Sequence, residues 1–357
     1  MNHHPGNQHD RDDHVMNGQL TTTQGQLMQQ PLRLGTRRSA LAMAQSGMIA
    51  EQVGKVTGRP VELVEITTYG DISREHLTQI GGTGVFVNAL RDALLDCHVD
   101  FAVHSLKVLP TAIPEGLVLA AVPEREDVRD VLVARDGLTL DELAEKCGAH
   151  GEGRAARIGT GSPRRMAQLN AYAAARGLAV ETVPIRGNVD TRIGYVRSGE
   201  LDAVVLAAAG LSRLGRLGEA TQFLGTELMV PAPGQGALAI ECAARDTQLV
   251  AALAAIDHAP TRAAVAAERA LLAALEAGCS APVGALATVT SAEGPATELR
   301  LEGVVGTPDG ASMLQMSTTG PISLGGAFEQ QASALGRDLA ARMLGEGAAG
   351  LMGERAL

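Results

Sequence analysis

Aromatic side chains are almost missing from this chain of 357 residues, which has three Tyr, four Phe and no Trp. Stacking of bases on aromatic platforms is thereby disfavoured, and a formal net charge of -10 argues against a nucleic-acid partner. Lysine is nearly as scarce. It stands only at positions 55, 107 and 146, so the basic complement is almost all arginine and Lys107 is a poor candidate for random surface charge. The four cysteines, Cys97, Cys147, Cys242 and Cys279, show no C-x-x-C spacing, so free thiols are expected rather than a metal site or a disulfide framework. No apolar run reaches membrane-spanning length, because Gly, Pro and charges interrupt every candidate. Residues 1–31 lack the basic start and apolar run of a signal peptide, and their His, Gln, Asn, Asp and Gly content is that of a disordered tail. A soluble, cytoplasmic protein with no membrane partner is expected.

What is present is an alternation of short apolar runs with helical patterns. Leu32 to Gly35 is followed by Ser39 to Val56, Val61 to Ile66, Val85 to Leu95 and Asp100 to Val103, the rhythm of an α/β sheet with ligand loops at its strand ends. The rhythm restarts at Arg157. Arg33-Leu-Gly-Thr36 leads to Met43-Ala-Gln45 as Arg157-Ile-Gly-Thr160 leads to Met166-Ala-Gln168, so two similar α/β domains facing one cleft are expected. Glu124 to Asp130 reads as a segment crossing between them or as a solvated charge run. Pro231 to Gly236 precedes a strand from Ala237 to Glu241 that could return the chain to the first sheet. Beyond it, residues 245 to 276 read as alanine-rich helices. Glu298 to Val305 and Ser312 to Met316 form a hairpin pattern around Thr307-Pro-Asp-Gly310, and Phe328 to Leu344 is a closing helix. The expected domains are 32–125 with 228–246, then 126–227, then a small α+β unit over 247–345, between tails at 1–31 and 346–357.

The chemistry concentrates in arginines at loop-to-helix junctions. Ser162-Pro163 has the form of an N-cap followed by a first helical position. Arg164 and Arg165 then fall in the first turn, where the macrodipole disfavours each cation by a few tenths to about 1 kcal/mol unless an anion offsets it. Arg186 and Arg192 flank Gly187-Asn188, with Asn188 as a cap, and Arg213 follows the strand Ala203 to Ala207. Arg37 and Ser39 sit at the mouth of the first unit as Thr160 and Ser162 sit at the second. So many guanidiniums at strand ends call for an extended polyanion. Gly81-Gly-Thr-Gly84 lacks the Lys-Ser/Thr of a P-loop and reads as a hinge or lid more readily than as a phosphate cradle. His104-Ser-Leu-Lys107 follows a strand and should present polar groups to the cleft, although His104 alone has an equally good structural reading. Cys279, in Gly278-Cys-Ser-Ala-Pro-Val283, is either a soft nucleophile on a turn or a buried structural thiol.

Together these segments resemble the porphobilinogen deaminase (hydroxymethylbilane synthase) family. The resemblance rests on LRLGTRRSALAMAQ, GGTGVF, FAVHSLK, REDVRD, GTGSPRRMAQL, IRGNVDTR, PGQGALAIEC and GCSAPVG, in family order from Leu32 to about Leu344. It implies two periplasmic-binding-protein-like, doubly wound domains around a cleft, with a small α+β C-terminal domain. It also implies a monomeric transferase of haem biosynthesis, condensing four porphobilinogen molecules with release of ammonia into hydroxymethylbilane. A dipyrromethane cofactor would be bonded through Cys279. Arg37, Ser39, Gln45, Lys107, Thr160, Ser162, Arg164, Arg165, Arg186, Arg192 and Arg213 would hold the carboxylates of substrate, polypyrrole intermediates or cofactor.

One position departs from the family motif His-Ser-x-Lys-Asp-x-Pro: the aspartate, taken to bind pyrrole N–H groups and stabilise cationic species, is Val108 here. Losing such preorganised stabilisation costs on the order of 3 kcal/mol or more, or about a hundredfold in rate. A catalytically impaired or dead pyrrole-binding relative is therefore the alternative expectation. Thr83 stands where many relatives carry lysine, and Gly161 and Pro163 depart mildly.

Overall fold

A computed structural model of the chain describes residues 1, 30–67, 87–149, 151–277, 281–291, 297–324 and 326–353. The glycine loop 81–84 with Thr83, the cysteine Cys279, and all but residues 1, 30 and 31 of the N-terminal tail lie outside the described residues.

The first sheet contains β1 (Leu32–Thr36), β2 (Val61–Glu65), β3 (Phe101–Ser105) and β4 (Leu117–Ala121). A late strand, β10 (Leu238–Ala243), inserts antiparallel between β3 and β4, giving the order β2-β1-β3-β10-β4. Every residue of β10 is buried, as an Ala-Ile-rich run between two neighbours requires. The second sheet is built from β5 (Asp130–Ala134), β6 (Ala156–Thr160), β7 (Val180–Pro184), β8 (Ala203–Ala207) and β9 (Gln222–Leu224), in the order β7-β6-β8-β5-β9. The repeated sequence therefore corresponds to a repeated topology, a 2-1-3 parallel core extended by an antiparallel strand. Gly159, inside β6, shows why the repeat keeps a glycine there: a Cβ would stand 2.5 Å from Leu201 and 2.8 Å from Ile185.

Helices cover both sheets: α1 (Ala40–Thr57) and α2 (Asn88–Leu95) on the first, α3 (Leu140–Cys147), α4 (Pro163–Arg176), α5 (Val189–Arg197) and α6 (Ala208–Arg213) on the second. Ser39 caps α1 by accepting from the Ala42 amide at 3.3 Å, and Gly58, with φ +65, closes it. The two connections between sheets meet where the Glu126 amide donates to the Gly236 carbonyl at 3.3 Å.

The next helix, α7 (Thr247–Leu253), moves the expected domain edge. Leu249 and Leu253 enter the first sheet's core with Leu32, Leu34, Ile49 and Phe101, so the third unit begins near α8 (Ala259–Ala274) rather than at 247. In that unit α8 and α9 (Phe328–Gly345) pack on the antiparallel sheet of β11 (Val283–Ser291), β12 (Thr297–Gly306) and β13 (Met313–Ile322), around Leu271, Leu301, Leu339 and Met343. The hairpin runs further than the expected Met316, to Ile322. β13 is an edge strand, so Pro321 can pair with Glu298 without needing a donor on its outer side. The expected C-terminal tail is also shorter: α10 (Ala348–Leu351) buries Ala348 in the third core.

Candidate active site

A cavity where the three units meet is lined by Lys107 from the end of β3, Ser162 and Arg164 from the head of α4, and Leu272, Ala281 and Val283 from the third unit. Ala281 and Val283 are two and four residues beyond Cys279, which is outside the described residues.

Asp130 organises the floor. This first residue of β5 is fully buried. Its Oδ2 accepts from Arg164 Nη2 at 2.7 Å, and its Oδ1 from Arg165 Nη2 at 2.7 Å, from Arg165 Nε at 3.2 Å and from Gln235 Nε2 at 2.9 Å. Burial pushes the Asp130 carboxyl up, but the two guanidiniums outweigh it and hold the group well below the usual carboxylate range. The expected anion for the first turn of α4 is thus supplied by the protein itself. The stretch Glu124 to Asp130 is not a solvated charge run either: Arg125 pairs with the fully buried Glu268 at 2.7 Å and donates to the Gln235 carbonyl. Sequence reasoning passed over Asp130 and Gln235 as site residues. Their only signal was their place inside REDVRD and PGQG, segments read as connections.

Arg164 also donates to the Val230 carbonyl at 2.6 Å and Arg165 to that of Val205 at 2.8 Å. Each is nine-tenths or more buried. The helix starts at Pro163 as expected, yet the Ser162 side chain makes no cap; instead its amide donates to Thr160 Oγ1 at 3.2 Å, leaving the hydroxyl toward the cavity. Asn188 does cap α5, accepting from the Thr191 amide at 2.9 Å. Arg192, in that first turn, donates to the Gly187 carbonyl at 2.9 Å, and burial together with the nearby Arg165 charge lowers it to about 10.

Lys107 lies in the 3-10 turn Leu106–Val108, and its Nζ donates to Gln235 Oε1 at 3.2 Å. Burial lowers its ammonium to about 7; Arg165, Arg164 and Arg192 add to the fall and Asp130 opposes it. Val108, next in the turn, is 38% exposed. His104 is not turned to the cleft. It is buried with its Nε2 3.2 Å from Glu241 Oε2, beside the buried Arg91–Glu241 pair, while Ser105 accepts from Gln45 Nε2 at 3.0 Å.

Of the remaining expected residues, Arg213 ends α6, donates to the Gly236 carbonyl at 2.5 Å and is lowered by burial. Neither Arg213 nor Arg37, Ser39, Thr160, Arg165, Arg186 and Arg192 line the cavity. Arg37 and Ser39 stand at the head of α1, which packs on α6 with Leu41 3.9 Å from where a Gly210 Cβ would be, and Arg186 is in the exposed turn before α5. Cys147, Glu152 and Asp202 gather elsewhere within 4.8 Å, but Arg135 and Arg154 already neutralise the carboxylates. Among the described residues no helix is long and apolar enough to cross a membrane.

Three buried guanidinium nitrogens have no hydrogen-bond partner among the described residues; Nε of Arg135 still stands 2.9 Å from Asp202 Oδ1, which leaves Nε of Arg164 and Nε of Arg213. Arg164 lines the cavity, and an unpaired cationic donor beside its partly apolar wall suits a ring system bearing carboxylates.

The family model described as the dipyrromethane cofactor binding domain of porphobilinogen deaminase matches residues 32–251, and that of its C-terminal domain matches 262–345. Porphobilinogen deaminase 1 of Streptomyces avermitilis is 70% identical over 329 residues, covering 92% of this chain and 99% of its own. Its namesake from Streptomyces coelicolor is 67% identical, covering 92% of this chain and 100% of its own, and porphobilinogen deaminase of Thermobifida fusca is 54% identical, covering 89% and 94%. Among solved structures, an arginine-specific periplasmic binding protein of Salmonella typhimurium aligns at 13% identity with a TM-score of 0.34, over 64% of this chain and 91% of its own. None of these matches supports an impaired relative, the alternative raised by Val108. With both domain models matched in order and relatives matched along nearly their whole length, the chain belongs to the porphobilinogen deaminase family.

Proposed function

We propose that the protein condenses four porphobilinogen molecules head to tail into hydroxymethylbilane, working as a cytoplasmic monomer with a dipyrromethane attached through Cys279. The observation that carries the reading is the cavity shared by all three units, where Lys107, Ser162 and Arg164 face the segment that follows Cys279. In each round the aminomethyl carbon of one porphobilinogen bonds to the free α-carbon of the preceding pyrrole, ammonia departs and the pyrrole ring proton is lost. Water finally releases the chain as its hydroxymethyl end.

When bound, the dipyrromethane supplies the pyrrole carbon from which elongation begins. Arg164, through its unpaired Nε in the cavity wall, would hold acetate or propionate groups and so orient rings in the cavity, with Arg192 and Arg213 outside its lining as further carboxylate partners. Arg165 is more fully engaged by Asp130 and Val205, which suits it to stiffening the floor. Arg37, Ser39 and Arg186, outside the cavity lining, are assigned to outer rings or incoming substrate; Thr160 accepts from the Ser162 amide and so helps present Ser162. Lys107, lowered to about 7, exchanges a proton at Nζ near neutral pH, which suits it to protonating a departing amine and recovering the proton lost from the ring.

The test is the intact mass of the purified chain together with turnover of porphobilinogen. A mass increment of two pyrrole units and release of hydroxymethylbilane are expected, both absent in Cys279→Ser, whose thermal melting should stay close to the parent's because Ser is nearly isosteric. An unmodified parent chain that forms no tetrapyrrole would overturn the assignment.

A further inference from the structure

We propose that Arg269 is a positioning residue for this reaction: reaching from the third unit, it fixes the Lys107-bearing turn against the helix that leads to Cys279. The proposal rests on the active-site reading above. Arg269 lies near the C-terminal end of α8, and its guanidinium crosses to the first unit. There Nη1 donates to the Leu109 carbonyl at 2.8 Å and the Leu106 carbonyl at 3.4 Å, while Nη2 donates to that of Pro110 at 2.8 Å. These carbonyls bracket Lys107 and Val108, so one planar fork grips both ends of the turn. A fork with fixed donor directions imposes orientation as well as distance, which a lysine at the same place would not.

The neighbouring residue gives this grip its reference frame. Glu268, fully buried, takes Arg125 at 2.7 and 2.9 Å and accepts from the Gly234 amide at 2.7 Å and the Ala287 amide at 2.8 Å. Two consecutive residues of α8 therefore hold both interdomain connections, β11 and the Lys107 turn, and the helix ends five residues before Cys279. Holding the turn closed does not itself require Arg269. The Leu109 amide donates to the Leu106 carbonyl at 3.1 Å, and Leu106 and Leu109 share an apolar core with Val265. What Arg269 adds is the position of the turn relative to the cavity. Burial lowers Arg269 to about 10, with Glu241 opposing and Arg91 adding to the fall, so it stays a cation at neutral pH.

The scarcity of lysine makes the placement of Lys107 measurable. Reductive methylation with formaldehyde and cyanoborohydride across pH, followed by peptide mass mapping, reports Lys107 beside exposed Lys55 and Lys146 as internal references. The charges that act on Lys107 are Arg164 and Arg165 from α4, Arg192 from α5 and Asp130 from β5. In Arg269→Gln the Lys107 reactivity midpoint should rise by about one pH unit or more as the amine leaves the arginine cluster and gains water. Turnover should fall about tenfold or more with KM changed less than about threefold. Arg269→Lys, which keeps the charge but reaches one carbonyl, should give a smaller shift in the same direction. An unchanged Lys107 midpoint in both variants overturns the proposal, whatever the melting temperature does. If Arg269→Gln does not fold, the midpoint in Arg269→Lys decides alone. The labelling needs no activity, so a parent chain that fails to make hydroxymethylbilane removes the functional reading and still leaves this one decided.

Discussion

Replacing Asp130 by Asn keeps the shape of the side chain and removes the one negative charge under Arg164 and Arg165. The carboxylate is fully buried and takes three guanidinium donors, two of them at 2.7 Å, so solvent cannot substitute for it. Breaking a buried ion pair by deleting one partner costs about 3–5 kcal/mol, because the surviving charge is left uncompensated. Here two cations survive, and an asparagine NH2 facing either guanidinium would add repulsion. The chain has three cores, so a single unfolding free energy is poorly defined. The loss is best read as hydrogen exchange of the β5 and β8 amides, where about 3–5 kcal/mol corresponds to exchange roughly 10²- to 10⁴-fold faster. The sign with pH follows from the lowered carboxyl. Its stabilisation is complete above the ordinary value of 3.8 and is lost only as pH falls through and below it, so parent and variant should differ equally from neutral pH to about pH 5 and converge in stronger acid. A second readout is Lys107: without the opposing Asp130 charge its midpoint should fall below about 7. Exchange rates within about threefold of the parent at neutral pH would refute the claim that Asp130 is the internal counter-ion of this site.

Three further outcomes follow from the same geometry. Lys107→Met should remove a pH dependence of stability. The folded lysine releases its proton at about 7 and the unfolded one at 10.5, so the unfolded chain binds more protons between those values and the parent gains stability as pH rises through them; urea midpoints of parent minus variant must show that rise. Val108→Asp puts a carboxylate beside Lys107 and should raise its labelling midpoint; no change would mean that residue 108 is electrostatically remote from the amine. Gly310→Ala should push the β12–β13 turn off α4, since φ is +72 and a Cβ would lie 2.3 Å from the Ala171 amide nitrogen. Amide exchange of the β12 and β13 residues about tenfold or more faster is expected, with faster proteolysis at the turn, and exchange within about threefold of the parent would contradict that packing.

The repeated Arg-x-Gly-Thr strand ends, the period-2 and period-3.6 patterns around them, and the Asn188 cap were legible from local sequence, whereas Ser162 does not make the cap expected of it and the cap at Ser39 was not foreseen. Each depends on neighbours within a few residues: a cap needs an amide three positions on, and a buried strand needs only an apolar run. The arginine cluster was equally plain. Its chemistry was not, because a guanidinium looks the same in sequence whether its anion is a substrate or an aspartate 34 residues away. Asp130 and Gln235 stood in segments that read as connections, and Arg269 was one more arginine on an alanine-rich helix. α7 carried no local mark that its leucines belonged to the first core, and the alternation read only as far as Met316 did not show that the β13 ladder continues to Ile322.

Composition, periodicity and motif order by themselves determined the three units, the element types and the family, since short-range backbone preferences and burial patterns are written residue by residue. Which charges cancel inside the protein, which way His104 turns, and how α8 ties the Lys107 turn to the cysteine segment were decided only by tertiary structure. Those outcomes depend on residues tens to more than a hundred positions apart in sequence, from Asp130 with Arg164 to Arg269 with Leu109, whose meeting is fixed by the packing of all three cores at once.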